Sequence, residues 1–384
     1  MSEYSSRADA AEPGLKAPVR WSQDHVRKIA SDTGHIAPQI GEGDFTRISD
    51  NLDVWDAWPI QHEDGAAAEV EPGTTLWMAL AAPHFEDPDE RHGHARIHLI
   101  ERKAGRWTDL GPVMPDGFSP GSREWSGSAV LGPDGKEMTL YFTVTGRRGE
   151  SILTFGQRLF AARAWLGKDS GRWTLSDWRD LREVVLPDPA HYMATDSADG
   201  GPGTIKAFRD PAFFRDPADG ACYLFFAGSQ AGSESAFNGV VGWARGDGEG
   251  AWNILPPLIS ADTLNNELER PHVVYHGGAY YLFWSTQRHV FDPSGPTGPT
   301  GLYGMVADRI DGEWRPLNGT GLVFANPPQS PAQAYSWLVL PDLSVTSFVD
   351  DWGVQEDERA RRFGATFAPD LHLVLQGESA RLAD

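Results

Sequence analysis

Short apolar runs, each bounded by Gly, Pro or Asp, recur along the chain from Trp21 onward. They are rich in aromatic and β-branched residues, which is typical of β-strands. The dipeptides Asp134-Gly135 and Gly277-Gly278 separate such runs and predict hairpin turns, because positive φ angles match the twist of the flanking strands. The runs that predict strands are TTLWMALAAP, RIHLIER, EMTLYFTVTG, ILTFGQRLFAAR, ACYLFFAG, GVVGWARG, HVVYHGGAYYLFWST, GLYGMVAD, LVLPDLSVTSFVD and LHLVLQG.

The succession of these runs predicts an all-β fold. Strand-turn-strand units that recur without a strict sequence repeat favour the blades of a β-propeller over one sandwich of this length. Two segments favour local helices instead, SQDHVRKIA at residues 22–30 and LSDWRDLREV at residues 175–184. We predict one domain over residues 18–384, preceded by a polar, Ala- and Ser-rich disordered tail at residues 1–17.

Composition then narrows the classes of function. The 384 residues include 33 Lys plus Arg and 54 Asp plus Glu, a formal charge of −21, without a basic block that would bind nucleic acid. No run approaches the roughly 20 apolar residues of a membrane span, and the start lacks an apolar leader core. Cys222 is the only cysteine, so we expect no disulfide and no cysteine-based metal site. We also expect no cofactor. The 15 Trp and 18 Phe suit a cleft that stacks against sugar rings.

An aspartate lies between two tryptophans in the segment Trp55-Asp56-Ala57-Trp58-Pro59. Removing a carboxylate from water in such surroundings is costly, so Asp56 is a candidate for chemistry with a perturbed pKa. An aspartate that caps a turn before Pro59 explains this motif equally well when the motif is taken alone.

The segment Arg209-Asp210-Pro211 presents a second carboxylate. A residue before proline is restricted to extended geometry, which fixes the direction of the Asp210 side chain. Such a fixed direction is useful in a site, although an Asx turn beside an ion pair also accounts for the motif.

Glu267 and Glu269 flank Leu268, so on a strand both carboxylates lie on one face. Two close carboxylates raise one pKa, which lets a glutamic acid stay protonated near neutral pH. The alternative is a pair of exposed charges balanced by Arg270. Retaining glycosidic cleavage needs two carboxyl groups about 5 to 5.5 Å apart, and a propeller would bring these distant segments together at the mouth of its axial channel.

Six motifs together resemble glycoside hydrolase family 68, the group of levansucrases, inulosucrases and bacterial β-fructofuranosidases, and the resemblance is closer to its Gram-negative members. The motifs follow the order of that family from about residue 20 to residue 375. Several independent motifs in register make the resemblance specific. They are Val54-Trp55-Asp56-Ala57-Trp58-Pro59, Glu124-Trp125-Ser126-Gly127-Ser128-Ala129, Arg209-Asp210-Pro211, Glu267-Leu268-Glu269-Arg270-Pro271, Gly301-Leu302-Tyr303-Gly304 and Thr366-Phe367-Ala368-Pro369.

The resemblance implies a five-bladed β-propeller with a central axial cleft, acting on sucrose. It implies that Asp56 is the nucleophile, that Glu269 is the acid/base and that Asp210 stabilises the transition state. Ser126 would orient the nucleophile. The other residues implied to bind the sugar are Trp55, Trp125, Arg209, Glu267 and Arg270.

Departures from the family pattern concern the product and the metal. After the strand YYLFWST, where the family usually has an Arg or His, this chain has Gln287, followed by Arg288 and His289. We expect these three residues to bind the sugar substrate and to influence acceptor choice. Asn266 replaces an aspartate with which Gram-positive relatives bind calcium, so we expect no metal. Phe348 stands where some relatives have a sugar-contacting tyrosine.

The functions that the sequence leaves open all use the cleft, but they differ in what happens to the bound sugar. The leading hypothesis is a retaining fructosyltransferase of levansucrase type, which hydrolyses sucrose and builds levan or fructo-oligosaccharides. A β-fructofuranosidase, passing the fructosyl group mainly to water or small sugars, is the alternative, and the intact carboxylates argue against a non-catalytic glycan-binding propeller. The expected partners are sucrose and fructan or sugar acceptors. The resemblance implies an extracellular enzyme, whereas the missing leader leaves a cytoplasmic location open, and the sequence does not indicate the oligomeric state.

Overall fold

The computed structural model describes residues 17–29, 35–195, 200–247, 250–354 and 361–383. The predicted tail at residues 1–17 therefore lies outside the described residues, apart from Ala17. Helices are few and short in the described ranges: α1 (Gln23–Val26) and 3-10 turns at Pro88–Gly93, Arg288–Val290 and Leu317–Gly319.

The remaining regular elements are strands, which confirms the predicted all-β class. They are β1 (Val19–Arg20), β2 (Leu52–Gln61), β3 (Glu69–Glu71), β4 (Thr74–Pro83), β5 (Arg96–Lys103), β6 (Arg106–Pro112), β7 (Arg123–Leu131), β8 (Glu137–Thr145), β9 (Gln157–Asp169), β10 (Arg172–Val185), β11 (Phe208–Arg215), β12 (Cys222–Ser229), β13 (Gly239–Gly246), β14 (Trp252–Ser260), β15 (Glu269–His276), β16 (Ala279–Thr286), β17 (Gly301–Ala307), β18 (Arg315–Pro316), β19 (Leu322–Ala325), β20 (Ala334–Val339), β21 (Ser344–Val349), β22 (Leu371–Gln376) and β23 (Ser379–Leu382).

Antiparallel pairing groups the described strands into successive meanders. The pairings are β2-β4-β5-β6 with β3 on β4, then β7-β8-β9-β10, then β11-β12-β13-β14, then β15-β16-β17 with β18 and β19 both on β17, and last β20-β21-β22-β23. Parallel pairing of β2 with β7 joins the first two groups into one nine-stranded sheet, and β1 adds in parallel to β14. The first strand of each group is therefore an edge strand of its own meander.

The first strands of the meanders lie beside one another around a common centre. β2 contacts β7, β7 contacts β11, β11 contacts β15, β15 contacts β20, and β20 returns to β2. The second strands β12 and β16 are buried along nearly their whole length, which explains their nearly continuous apolar runs CYLFFAGS and AYYLFWST. The arrangement brings one end of each first strand to the same place.

One of the two predicted helices is wrong and the other is shorter than expected. The segment LSDWRDLREV lies within strand β10, whose pairing with β9 shifts register repeatedly. Asp177 and Asp180 have positive φ angles of 52° and 55° at these irregularities. Each inserted residue changes the strand period from two to three, so Leu175, Trp178 and Leu181 show a spacing that imitates a helix. At the N-terminus only Gln23–Val26 is helical, and no helix of the described ranges is long and apolar enough to cross a membrane.

Candidate active site

A cavity of about 590 Å³ lies where the first strands of the meanders meet. Two other cavities, of about 560 and 720 Å³, contain none of the three predicted catalytic carboxylates. The 590 Å³ cavity contains all three, so its chemistry identifies it as the candidate site. Its lining includes the predicted residues Trp55, Asp56, Trp125, Ser126, Arg209, Asp210, Glu267, Glu269, Arg270, Gln287 and His289.

Arg288 is the one predicted sugar-binding residue that does not line this cavity. It opens the 3-10 turn Arg288–Val290, its side chain is exposed, and its backbone N–H donates to Thr300 Oγ1 at 3.0 Å. The contribution of Arg288 to acceptor choice stays a prediction.

The residues of the site sit at an irregularity that recurs in every first strand. The pairing register shifts at Trp55/Trp58, Trp125/Gly127, Arg209/Ala212, Glu269/His272 and Tyr335/Leu338. In four of these bulges, the residue directly after the first member of the pair has a positive φ angle. The angles are 49° at Asp56, 64° at Asp210, 48° at Arg270 and 63° at Ser336. Bulges redirect side chains and end regular pairing, which is why they suit the rim of a site.

Asp56 is oriented by the neighbouring meander. The Ser126 hydroxyl donates to Asp56 Oδ2 at 2.9 Å, and Ser126 is only 2 % exposed. Because the donor belongs to β7 and the acceptor to β2, this hydrogen bond fixes the direction of the carboxylate across the boundary between two meanders. In the part of the chain that the structure describes, no hydrogen bond reaches the other Asp56 oxygen, and Asp56 lines the cavity.

Asp210 lies deepest of the three carboxylates. Its backbone N–H donates to Thr143 Oγ1 at 2.9 Å, and its Oδ2 accepts from the Arg270 backbone N–H at 3.3 Å. Burial raises the pKa of Asp210 to about 7, with Glu269 and Asp56 adding to the rise and Arg209 opposing it. Near neutral pH the Asp210 carboxyl group is therefore present in both its protonated and its ionised form.

Glu267 and Glu269 share one guanidinium. Arg209 Nη2 donates to Glu269 Oε1 at 2.7 Å and lies 3.1 Å from Glu267 Oε2, while Arg209 Nε is 3.7 Å from Asp210 Oδ2. Arg209 is 4 % exposed, so these contacts are made out of bulk water.

The two glutamates titrate as a pair with opposite shifts. Burial and the neighbouring Glu269 raise the pKa of Glu267 against the opposing effect of Arg209. Burial also acts to raise the pKa of Glu269, but Arg209 and a hydrogen bond from the Tyr335 hydroxyl hold it below its usual value. Within this pair, Glu267 therefore holds a proton more readily than Glu269 does. The sequence predicts one raised pKa for this pair of glutamates but does not indicate that the raised pKa belongs to Glu267.

Several lining residues were missed by the sequence argument. Tyr335 and Ser336 lie at the bulge of β20, the first strand of the last meander, in a run AYSWLV that contains no charged residue. Arg91 is 3 % exposed, and its guanidinium lies 5.3 Å from the Trp55 ring centroid and 4.4 Å from that of Phe363. No local motif marks these positions, and only the bulge that they share with the other first strands could have pointed to Tyr335 and Ser336.

Two half-buried glutamates that share one arginine, and a separately oriented aspartate on the same cavity, supply the carboxyl groups that define the class of a two-carboxylate glycosidase site. The comparison with protein families places the chain within that class. The family described as Levansucrase/Invertase matches residues 11–243 and 236–383, so the chain belongs to glycoside hydrolase family 68, as the sequence motifs predicted.

Individual relatives agree with this assignment. The chain is 30 % identical over 409 residues to a levansucrase of Erwinia amylovora, covering 96 % of this chain and 94 % of that protein. An inulosucrase from Halalkalicoccus jeotgali bound to kestose superposes with a TM-score of 0.86 at 34 % identity, covering 95 % of both chains. The full-length β-fructofuranosidase from Microbacterium saccharophilum K-1 superposes with a TM-score of 0.83 at 25 % identity, covering 96 % of this chain and 83 % of that one.

Proposed function

We propose that this chain is a retaining fructosyltransferase that cleaves sucrose and passes the fructosyl group to a sugar, a growing fructan or water. The observation that carries the proposal is the convergence of Asp56, Asp210 and the Glu267/Glu269 pair on one cavity of a family 68 chain. Sucrose enters the proposal because relatives of this family are levansucrases, inulosucrases and β-fructofuranosidases.

In the first step, Asp56 attacks the anomeric carbon of the fructosyl unit. The bond between that carbon and the bridging oxygen breaks, and Glu269 transfers a proton to the departing glucose oxygen. The hydrogen bond from Ser126 aims Asp56, and the Glu267/Glu269 pair supplies the proton. The product is a covalent fructosyl-enzyme and free glucose.

In the second step, Glu269 removes a proton from the acceptor hydroxyl, which attacks the same carbon and releases Asp56. Arg209 stabilises the Glu269 carboxylate formed in the first step through its contact at 2.7 Å. Asp210 holds fructosyl hydroxyls beside the developing positive charge, with Trp55 and Trp125 as apolar walls.

The proposal includes the architecture. The successive meanders are five blades of a propeller, residues 18–384 form one catalytic domain, and the first strands of the blades line the axial cleft. The closed order of contacts between the first strands and the shared bulge support this description. The family also favours an extracellular enzyme, which fractionation of producing cells would test.

A second candidate, a β-fructofuranosidase that passes the fructosyl group mainly to water or small sugars, is favoured by one feature of the cavity. Gln287 lines it at the position where the family usually has an Arg or His. A neutral amide gives an incoming sugar chain no cationic donor, and water at about 55 M competes with any weakly held acceptor.

A time course on concentrated sucrose tests the proposal and separates the two candidates. Glucose in excess of free fructose, together with larger products, is the expected result for transfer. Equal glucose and fructose assigns the hydrolytic candidate. Absence of glucose from the wild-type protein, with Asp56→Asn as the matched negative control, would overturn both.

A further inference from the structure

The guanidinium of Arg270 donates hydrogen bonds to other groups of the protein. Nη1 donates to Ser336 O at 3.0 Å and to Ser336 Oγ at 2.8 Å, and Nη2 donates to Ala57 O at 2.6 Å. The residue is only 6 % exposed. Two of the guanidinium nitrogens are thus already committed in a residue that the family resemblance implied to contact sugar hydroxyls.

These acceptors belong to the first strands of two other meanders. Arg270 lies on β15, Ala57 follows the nucleophile on β2, and Ser336 lies on β20. The backbone N–H of Arg270 reaches a fourth strand through Asp210 Oδ2 on β11. One residue therefore joins the backbone beside Asp56, the side chain of Asp210 and the strand that carries Tyr335.

The joined positions are the strained ones. Asp56, Arg270 and Ser336 all have positive φ angles, at 49°, 48° and 63°. A residue other than glycine in that region costs about 1–3 kcal/mol and persists only where its surroundings hold it. The hydrogen bonds of Arg270 are formed at these positions or at their immediate neighbours, so they help to hold these bulges in place.

We propose that Arg270, together with Ser336, is a positioning residue that fixes the bulge of the nucleophile Asp56 and the carboxyl group of Asp210, rather than a residue that binds sugar through its guanidinium. This role rests on the proposed function, because it assumes that Asp56 and Asp210 do the chemistry. Burial lowers the pKa of the guanidinium and the carboxylates of Asp56 and Asp210 oppose that effect, so the group stays positively charged between them.

A double-mutant cycle on sucrose cleavage tests the role, with glucose release as the readout. Ser336→Ala removes one acceptor of Arg270, Arg270→Lys keeps the charge but not the fork of donors, and the double variant combines both. Ser330→Ala is the matched control, since Ser330 is also fully buried and its hydroxyl donates to a backbone carbonyl, Gly353 O at 2.7 Å, outside the cavity.

The expected result is a kcat about tenfold lower for Ser336→Ala and about a hundredfold lower for Arg270→Lys, each with a sucrose KM within about twofold of wild type. The double variant should be no slower than Arg270→Lys alone, because Ser336 acts through Arg270. Ser330→Ala should keep the wild-type kcat.

Additive losses in the double variant, or a Ser336→Ala enzyme as active as Ser330→Ala, would overturn the proposal. A raised KM with an unchanged kcat in Arg270→Lys would also do so and would return Arg270 to sugar binding. Melting temperatures of all variants separate misfolding from mispositioning: should Arg270→Lys fail to fold, Ser336→Ala against Ser330→Ala still decides. Wild-type protein that releases no glucose would overturn the proposed function instead, which is a separate outcome.

Discussion

The hydrogen bond from Tyr335 to Glu269 gives a prediction about pH. The Tyr335 hydroxyl donates to Glu269 Oε2, and this contact, with Arg209, holds the pKa of Glu269 below its usual value although burial acts to raise it. Tyr335→Phe removes the donor and leaves the ring in place. The pKa of Glu269 should therefore rise.

The magnitude follows from the strength of a hydrogen bond to a charged group, about 1.5–3 kcal/mol. One pKa unit corresponds to about 1.36 kcal/mol, so the full loss equals about one to two units. Glucose release needs protonated Glu269, and a higher pKa keeps that form present to higher pH. The alkaline limb of the kcat/KM profile should therefore move to higher pH by about one unit.

The assay is the initial rate of glucose release at low sucrose concentration across the pH range in which the protein stays folded. Tyr281→Phe is the control, because Tyr281 is also buried, at 2 % exposed against 7 % for Tyr335, and does not line the cavity. An alkaline limb that stays within about 0.3 units of wild type, or one that moves to lower pH, would refute the assignment of Glu269 as the acid held by Tyr335.

Three other changes test separate parts of the structure. Ser126→Ala should lower kcat roughly tenfold or more at an unchanged melting temperature, because Asp56 loses its orienting hydrogen bond, and steady-state kinetics measures this. Gly127→Ala should destabilise the protein by about 3 kcal/mol or more in urea unfolding, because the added Cβ would lie 1.9 Å from Tyr141 O. Lys206→Met should cost about 1–3 kcal/mol in the same assay, since the ammonium donates to three oxygens at 2.7–3.1 Å; an unchanged midpoint would show that these bonds contribute nothing.

Much of the fold could be predicted because strand patterns are local. Apolar runs between Gly, Pro and Asp identified the strands, and the all-β class followed. The wrong helix at residues 175–184 has a physical cause: the bulges at Asp177 and Asp180 turn a strand period into a helix-like one. Aspartate adopts positive φ angles more readily than most residues, but it is also common in ordinary turns, so its presence alone does not locate a bulge.

The site divides in the same way. Asp56, Asp210 and Glu269 could be found because each lies in a short motif that stands out locally, and family resemblance joined them. The extended backbone predicted for Asp210 before Pro211 is nevertheless wrong, since the φ angle of Asp210 is 64°. Tyr335 and Ser336 could not, because their importance comes from contacts with residues 66 positions away, Glu269 and Arg270. Such pairings depend on which strands the fold places side by side.

In the proposed mechanism, Asp56 forms a covalent bond with the fructosyl group of sucrose. The direct measurement is peptide mass analysis of Glu269→Gln enzyme that has been mixed with a sucrose analogue carrying an activated leaving group and then quenched in acid. The peptide containing Asp56 should gain the mass of one anhydrofructose unit, and Asp56→Asn should abolish the gain. Label on any other carboxylate, or release of the leaving group with every peptide unmodified at each quench time, would contradict it.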